Sequence, residues 1–314
     1  KAGIVIEKTT KSSTNSSWEP GWLLCLQLRR LLRIMKNNAA ADQRPPSYFL
    51  DTSTQISRHW ADEQISREVR SDLLESRLHC SIYVERQYRY RVLNALISVH
   101  VFVAASEDVQ TAKKRLEKRR NELCIDDLVY NVLRRLFRKY NSKKPLLRYL
   151  RRLIEVDWQN FFYDALSKPL CDMTNCTRGA DAPKYKQGFY DTIPKKCPAD
   201  CKICDFWESR EQDLQNLAAM DPDGLSQPSD PKRTIEKIRV EARGILQGKS
   251  PRDEHCGTVS DAIISIEARD NYPGIIIHTM DSDFDNLKKI LRTQVRFFKA
   301  GQDDLNLFSN LPSV

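Results

Sequence analysis

The chain has 314 residues, 40% of them hydrophobic, and a formal net charge of +9 at pH 7. That length allows one large domain or two modest ones, and no segment has the ~18 or more consecutive apolar residues of a membrane-spanning helix. We therefore expect a soluble protein with no membrane partner. Nine cysteines without a secretory signal predict reduced thiols and a cytoplasmic location.

Residues 1–46 are expected to be a disordered or extraneous extension. They include the run WLLCLQLRRLLRI, which is apolar and basic but too short to span a bilayer. Met35 then opens a polar stretch and resembles a natural start, so residues 1–34 receive no function.

The first predicted strand leads directly into Asp51. In SYFLDTST, residues 47–54, the strand ends at hydroxyl residues that are able to cap a helix. Asp51 would either cap that helix or place a carboxylate at the end of the strand. From about residue 61 to 104 the pattern is helical, with Glu85 beside the apolar face near the start of a helix.

A basic segment follows, in which fifteen Lys or Arg stand against seven Asp or Glu between residues 105 and 155. Its apolar stripes predict helices that bury one side and expose arginines on the other. Such an excess indicates an anionic partner, with nucleic acid first, while a solvated helix face is the alternative. The side chains expected to contact single-stranded RNA are Arg134, Arg135, Arg138, Lys139, Arg148, Arg151 and Arg152.

Five cysteines, spaced C-x4-C and C-x3-C-x2-C, crowd into residues 171–204. The residues between them predict a loop with little core, which a Zn²⁺ ion held by four thiolates would stabilise. The expected ligands are Cys176, Cys197, Cys201 and Cys204, with Cys171 as the alternate fourth ligand. An iron-sulfur cluster is the competing interpretation, because C-x3-C-x2-C also resembles the cluster loop of radical SAM enzymes.

Residues 208–254 are predicted to be a polar linker followed by a return helix over residues 235–246. The chain then forms a helix that begins at Ser260 and Asp261, a turn, and a short β-rich run over residues 274–278. Asp281 and Asp283 follow that run within TMDSDF. A last strand is predicted over residues 294–300.

The acidic residues Asp51, Glu85, Asp261, Asp281 and Asp283 come from separate segments, two of which are strands. If the strands are parallel, their ends meet at one edge of a sheet, where α/β proteins build sites. Converging carboxylates repel one another and are stabilised by a cation. Oxygen ligands without histidine or thiol favour Mg²⁺ or Mn²⁺.

The order YFLDTS, SIYVERQYRYRV, SDAIISIEA and IIIHTMDSDF resembles the PIN-domain ribonucleases, which include toxins of bacterial toxin and antitoxin pairs. The resemblance implies an acidic quartet of Asp51, Glu85, Asp261 and Asp281, with Asp283 as a frequent extra acid. It also implies an α/β/α sandwich with a parallel sheet, Mg²⁺ or Mn²⁺, and cleavage of single-stranded RNA. A protein inhibitor or partner is left open, and so is the oligomeric state.

On this interpretation residues 47–104 and 255–314 are the two halves of a PIN-like domain. A basic helical insertion (105–170), the cysteine loop (171–207) and the linker with its return helix (208–254) separate them. The leading hypothesis is a metal-dependent endoribonuclease. A catalytically inactive PIN-like nucleic-acid-binding or scaffold protein is the alternative, and an iron-sulfur enzyme is the third.

Overall fold

The computed structural model describes residues 45–121, 126–194, 202–221, 231–248 and 255–299. All the described elements belong to one unit that begins at Pro46. The expected extension therefore lies almost wholly outside the described residues. Two of the predicted zinc ligands, Cys197 and Cys201, also lie outside them.

Four parallel strands form the main sheet. They are β1 (Ser47–Leu50), β2 (Arg77–His79), β5 (Ile276–Thr279) and β6 (Gln294–Phe297), in the order β2-β1-β5-β6. Leu50 lies opposite His278 in the central pair, so Asp51 and Thr279 follow at the same edge. The strands predicted before Asp51, before Asp281 and near the chain end are confirmed, within two or three residues at each end.

Apolar residues pack on both faces of the sheet. Successive side chains of β1 point to opposite sides, so the strand contributes to both. Tyr48 and Leu50 belong to one apolar cluster with Ile65 and Val69 of a neighbouring helix. Phe49 faces the larger core on the other side. The protein is therefore a mixed α/β fold with a buried parallel sheet, as the sequence predicts.

Two short helices, α1 (Thr52–Trp60) and α2 (Glu63–Asp72), connect β1 to β2. Each begins after an aspartate that caps it, Asp51 for α1 and Asp62 for α2. The uninterrupted helical pattern predicted over residues 61–104 is wrong at β2. This three-residue strand, RLH, carries only one buried side chain, Leu78, and is too short to show an alternating pattern.

A helical body packs against the Phe49 side of the sheet. It contains α3 (Ile82–Ala104), α4 (Val109–Asn121), α5 (Asp127–Lys139), α6 (Lys143–Arg152), a π-helical turn (Leu153–Asp157) and α7 (Trp158–Tyr163). The stripe on α5 is buried as expected, with Leu133 and Phe137 in the same core as Phe49. The basic segment therefore shares the core of the sheet.

The next stretch contains a hairpin of β3 (Tyr185–Lys186) and β4 (Phe189–Tyr190), then α8 (Ile203–Glu208) and α9 (Glu211–Ala218). The linker prediction did not include α9, which buries Leu214 and Leu217 at helical spacing. The return helix is confirmed as α10 (Pro231–Leu246). The remaining helices are α11 (His255–Thr258), α12 (Ser260–Asn271) and α13 (Asp283–Ile290).

Candidate metal centre

Asp51 is buried at the junction between β1 and α1. Its Oδ1 accepts a hydrogen bond from the Thr54 backbone N–H at 2.8 Å, as an N-cap does. Its Oδ2 accepts hydrogen bonds from the hydroxyls of Ser53 at 2.7 Å and Thr279 at 2.8 Å. Burial raises the pKa of Asp51, and these hydrogen bonds partly offset that rise. Asp51 therefore caps α1 and also lies at the carboxyl edge of the sheet.

The hydroxyls of Ser53 and Thr279 tie Asp51 to the turn after β5. The Ser53 hydroxyl accepts a hydrogen bond from the Met280 N–H at 3.1 Å, and the Thr279 hydroxyl accepts one from the Asp281 N–H at 2.9 Å. Each hydroxyl thus donates to Asp51 and accepts from the turn. The sequence prediction did not assign these residues to the site. The sequence did contain a signal for them, because a hydroxyl residue lies within two positions of the acid at the end of each strand: Ser53 near Asp51 and Thr279 near Asp281.

Three carboxylates converge at this edge, those of Asp261, Asp281 and Asp283. One oxygen of each lies within 4.8 Å of the others, and all three side chains are half-buried. Asp261 is in the first turn of α12, and Asp283 begins α13. The Asp283 N–H donates to Asp281 Oδ1 at 3.0 Å, which orients the Asp281 carboxylate. The three acids therefore come from the first turn of α12, the turn after β5 and the start of α13.

The three carboxyl groups repel one another when they are ionised, because they carry the same charge. Burial raises the pKa of Asp261 well above its ordinary range, and the carboxylates of Asp281, Asp283 and Asp51 raise it further. A hydrogen bond from the Ser260 hydroxyl, at 3.1 Å, acts in the opposite direction. Asp51, Asp261 and Asp281 form no ion pair with the residues that the structure describes. A divalent cation would relieve the repulsion.

Glu85 is not a member of the three-carboxylate group. It lies in the first turn of α3, where Ser81 caps the helix, and its side chain is buried. Burial raises the pKa of Glu85, whereas Arg86 and Arg89 lower it. Its ion pair with Arg86 has a nitrogen-to-oxygen distance of 4.0 Å. The structure thus groups Asp261, Asp281 and Asp283, with Asp51 near enough to raise the pKa of Asp261, and gives Glu85 two arginine neighbours on its own helix.

His278 is fully buried in β5 and lies among polar groups on the α2 side of the sheet. Its Nε2 is 3.0 Å from Asp72 Oδ2, and its Nδ1 is 3.2 Å from the Thr54 hydroxyl. Burial lowers the pKa of His278, and Asp72 opposes that shift. Arg296 contacts Asp72 and donates to the Tyr48 hydroxyl at 2.6 Å. The sequence interpretation left His278 out of the ligand set, and it belongs here to a packed polar network.

The described cysteines do not form a cluster. Cys171 donates its thiol proton to the Cys80 carbonyl at 3.7 Å, and burial raises its pKa to about 12. Cys176 is buried, and Cys204 is half-buried in α8. Within the described ranges, the acidic trio is the one group with metal-ligand spacing. The zinc prediction depends on Cys197 and Cys201, which lie outside the described residues.

The predicted RNA-contacting residues divide into two sets. On α5, Arg134 pairs with Asp62 at 3.0 Å, and Arg138 pairs with Glu63 at 3.5 Å. Arg135 donates to the carbonyl of His59 and, at 3.1 Å, to that of Ala61.

The second set lies on α6, where Arg148, Arg151 and Arg152 are all exposed. Arg152 pairs with Asp157 at 2.9 Å, and Arg151 lies over the Tyr185 ring. Lys139, at the end of α5, lies 5.3 Å from the ring centre of Tyr149 on α6. The α5 arginines thus contact the turn between α1 and α2, whereas Arg151 and Arg152 of α6 contact Tyr185 and Asp157.

No known protein-family model matches the chain, and no curated protein and no solved structure matches it either. Among the described helices, none combines the length and the apolar character needed to cross a membrane.

Proposed function

We propose that the chain is a PIN-like, metal-dependent endoribonuclease with an α/β/α sandwich fold. The observation that supports this most is the convergence of Asp261, Asp281 and Asp283 at the carboxyl edge of a parallel sheet. Asp51, at the end of the neighbouring strand, adds a fourth carboxylate to that edge. The chain order of these acids is the order on which the resemblance to PIN-domain ribonucleases was based.

The donor set fits Mg²⁺ or Mn²⁺ in its chemistry. It contains carboxylate oxygens, which these hard cations prefer, and neither thiol nor imidazole. One oxygen of each carboxylate lies within 4.8 Å of the other two, which is close enough for the three side chains to share one cation.

In this proposal Asp261, Asp281 and Asp283 hold the cation, and Asp51 adds negative charge and fixes the turn through Thr279. When bound, Mg²⁺ or Mn²⁺ lowers the pKa of water and stabilises charge that develops on a phosphate. Asp261 retains its proton to a higher pH than an ordinary aspartate does. Ligands must be deprotonated to bind a metal, so its proton leaves as the cation binds, and cation affinity should rise with pH.

The alternative, a PIN-like nucleic-acid-binding or scaffold protein without turnover, differs in whether the acids support hydrolysis. A zinc-stabilised cysteine loop and a protein inhibitor are compatible with both proposals. Both also place single-stranded RNA on the protein surface. A cleavage assay separates them.

The test is cleavage of a labelled single-stranded RNA in Mn²⁺, in Mg²⁺ and in EDTA. Wild-type protein should cut only with the metal, and Asp261→Asn should lower the rate by at least about a hundredfold. Removing a residue that hydrogen-bonds to a metal ligand typically lowers metal affinity or activity 10–100-fold. Removing a ligand itself should lower activity at least as much. Glu85→Gln, outside the trio, should cost less than Asp261→Asn. Full activity of folded Asp261→Asn, or metal-independent cutting, would refute the proposal.

A further inference from the structure

The fully buried imidazole of His278 contacts two aromatic rings and two polar side chains. The Tyr48 ring is edge-on to it, with ring centres 5.6 Å apart, and the Phe298 ring is stacked against it at 5.8 Å. Each ring nitrogen has a polar neighbour, Asp72 at Nε2 and Thr54 at Nδ1. Burying a polar group costs free energy unless it is hydrogen-bonded. These partners therefore hold the imidazole in one orientation.

The hydrogen bonds of the Thr54 hydroxyl determine which ring nitrogen of His278 carries a proton. This hydroxyl lies 2.9 Å from the His278 carbonyl oxygen and 3.2 Å from Nδ1. A carbonyl oxygen only accepts hydrogen bonds, so the single proton of the hydroxyl is donated to it. The hydroxyl oxygen therefore accepts from Nδ1, which carries a proton. Nε2 bonds to Asp72 Oδ2 at 3.0 Å.

Thr54 joins this imidazole to the acidic edge of the sheet. Its N–H donates to Asp51 Oδ1 at 2.8 Å, while its hydroxyl bonds to His278. The other oxygen of the Asp51 carboxylate accepts from the Thr279 hydroxyl, which in turn accepts from the Asp281 N–H at 2.9 Å. Hydrogen bonds therefore run from the buried imidazole, through Thr54 and Asp51, to the backbone of a proposed metal ligand.

The outer end of this network is fixed by three elements of the fold. Asp72 is the last residue of α2, and its side chain is 20% exposed. Arg296 of β6 contacts its Oδ1 and donates to the hydroxyl of Tyr48, in β1, at 2.6 Å. Helix α2 and strands β1 and β6 thus hold the carboxylate that bonds to His278.

We infer that His278 and Asp72 are positioning residues for the acidic edge, on which they act through Thr54 and Asp51. The imidazole holds the Thr54 side chain, so the Thr54 N–H stays directed at the Asp51 carboxylate. Side chains that orient a metal site in this way affect metal affinity or activity although they do not contact the metal. The expected effect on RNA cleavage rests on the proposed function, whereas the hydrogen bonds do not.

The first measurements need neither metal nor RNA. Nitrogen-15 NMR should show a histidine ring protonated at Nδ1, whose signal disappears in His278→Asn. Exchange of the Thr54 amide proton with solvent reports on its bond to Asp51. In His278→Phe, which keeps a ring without a donor, exchange should be about tenfold faster, because one lost hydrogen bond shifts an equilibrium by about that factor. In His278→Asn, whose amide nitrogen can replace Nδ1, exchange should stay close to that of wild type.

The second measurement is the Mn²⁺ concentration that gives half-maximal cleavage of single-stranded RNA. His278→Phe and Thr54→Val should each raise it about tenfold, at the lower end of the range for residues that orient metal ligands. Thr54→Ser keeps the hydroxyl and should restore the wild-type value. Excess Mn²⁺ should recover the cleavage rate of His278→Phe and Thr54→Val, which would not happen if these proteins were simply unfolded.

The matched control is His100→Phe. His100 of α3 is also buried, and neither of its ring nitrogens has a hydrogen-bond partner within the described parts of the chain. The substitution should therefore leave both the exchange of the Thr54 amide and the required Mn²⁺ concentration as in wild type, whatever it does to stability.

The inference is overturned if Nδ1 of His278 carries no proton, or if folded His278→Phe keeps the wild-type exchange rate of the Thr54 amide. An unchanged Mn²⁺ requirement in His278→Phe and Thr54→Val that cleave RNA would also overturn it. If wild type neither binds Mn²⁺ nor cleaves RNA, the nuclease proposal fails. The exchange rates of the Thr54 amide then decide by themselves whether His278 orients Asp51.

Discussion

Two groups of like-charged side chains in this protein differ in whether the fold gives them partners. The three arginines of α5 share one helix, and each has a carboxylate or carbonyl partner at the turn between α1 and α2. The carboxylates of Asp261, Asp281 and Asp283 lie within 4.8 Å of one another, but Asp51, Asp261 and Asp281 have no cationic partner among the described residues. The first cluster is explained by the fold alone. The second is arranged at a cost in repulsion, which is how metal-binding sites are built.

The largest effect outside the ligands themselves is expected at Thr279. Thr279→Val keeps the shape of the side chain but removes the hydroxyl that joins Asp51 Oδ2 to the Asp281 N–H. We expect RNA cleavage to fall about 10–100-fold, as for residues that orient metal ligands. The required metal concentration, measured in the same assay, should also rise. If Thr279→Val cleaves RNA at the wild-type rate and needs no more Mn²⁺ than wild type does, the hydroxyl does not position the acids.

The α5 arginines offer the opposite test, because their role is structural. Arg135→Ala removes donors to the carbonyls of His59 and Ala61, which should cost about 1–3 kcal/mol in the free energy of unfolding. Arg148→Ala, on α6, should change that free energy by less than about 0.5 kcal/mol, as surface substitutions usually do. Urea unfolding gives both values. Equal stability of the two variants would contradict the division between the sets.

The smallest expected effect is the repulsion itself in metal-free protein. Two unit charges within 4.8 Å of each other repel by at least about 0.9 kcal/mol even at the dielectric constant of water. Asp261→Asn should therefore raise the free energy of unfolding by about that amount, in EDTA and low salt, at pH values where Asp261 is ionised.

The pH dependence of this difference has a defined sign. The pKa of Asp261 is higher in the folded protein than in the unfolded chain, so ionisation destabilises the fold as pH rises. The two proteins should match below about pH 4, where Asp261 is protonated in both states, and diverge as pH rises through its raised pKa. Burial raises the pKa of Glu267, also on α12, to about 7, but both proteins retain Glu267. A difference that is constant with pH would argue against the repulsion.

The sequence was informative where one short pattern determines local structure. An apolar run followed by an acid predicted β1 with Asp51 and β5 with Asp281, and the parallel pairing of these strands is confirmed. The buried stripe of α5 followed equally well from its spacing. In these cases the spacing of hydrophobic residues and the side chain at the end of the element are sufficient to predict the element.

The parts that could not be predicted depend on contacts between distant segments. Strand β2 is too short for a periodic signal, and it is held by pairing with β1. The partners of Arg135 lie more than 70 residues away. Sequence charge alone therefore did not distinguish a structural arginine from an available one.

The most direct test of the central claim is whether the acidic edge binds a divalent cation. Mn²⁺ titration followed by electron paramagnetic resonance, with thermal unfolding in parallel, should show a site in wild type that is lost in Asp261→Asn. At a Mn²⁺ concentration 100 times the dissociation constant, binding should stabilise wild type by about 2.7 kcal/mol. The Arg67→Ala protein, altered at an exposed side chain of helix α2, should behave as wild type. Equal Mn²⁺ binding and stabilisation of wild type and Asp261→Asn, or none in either, would contradict the account.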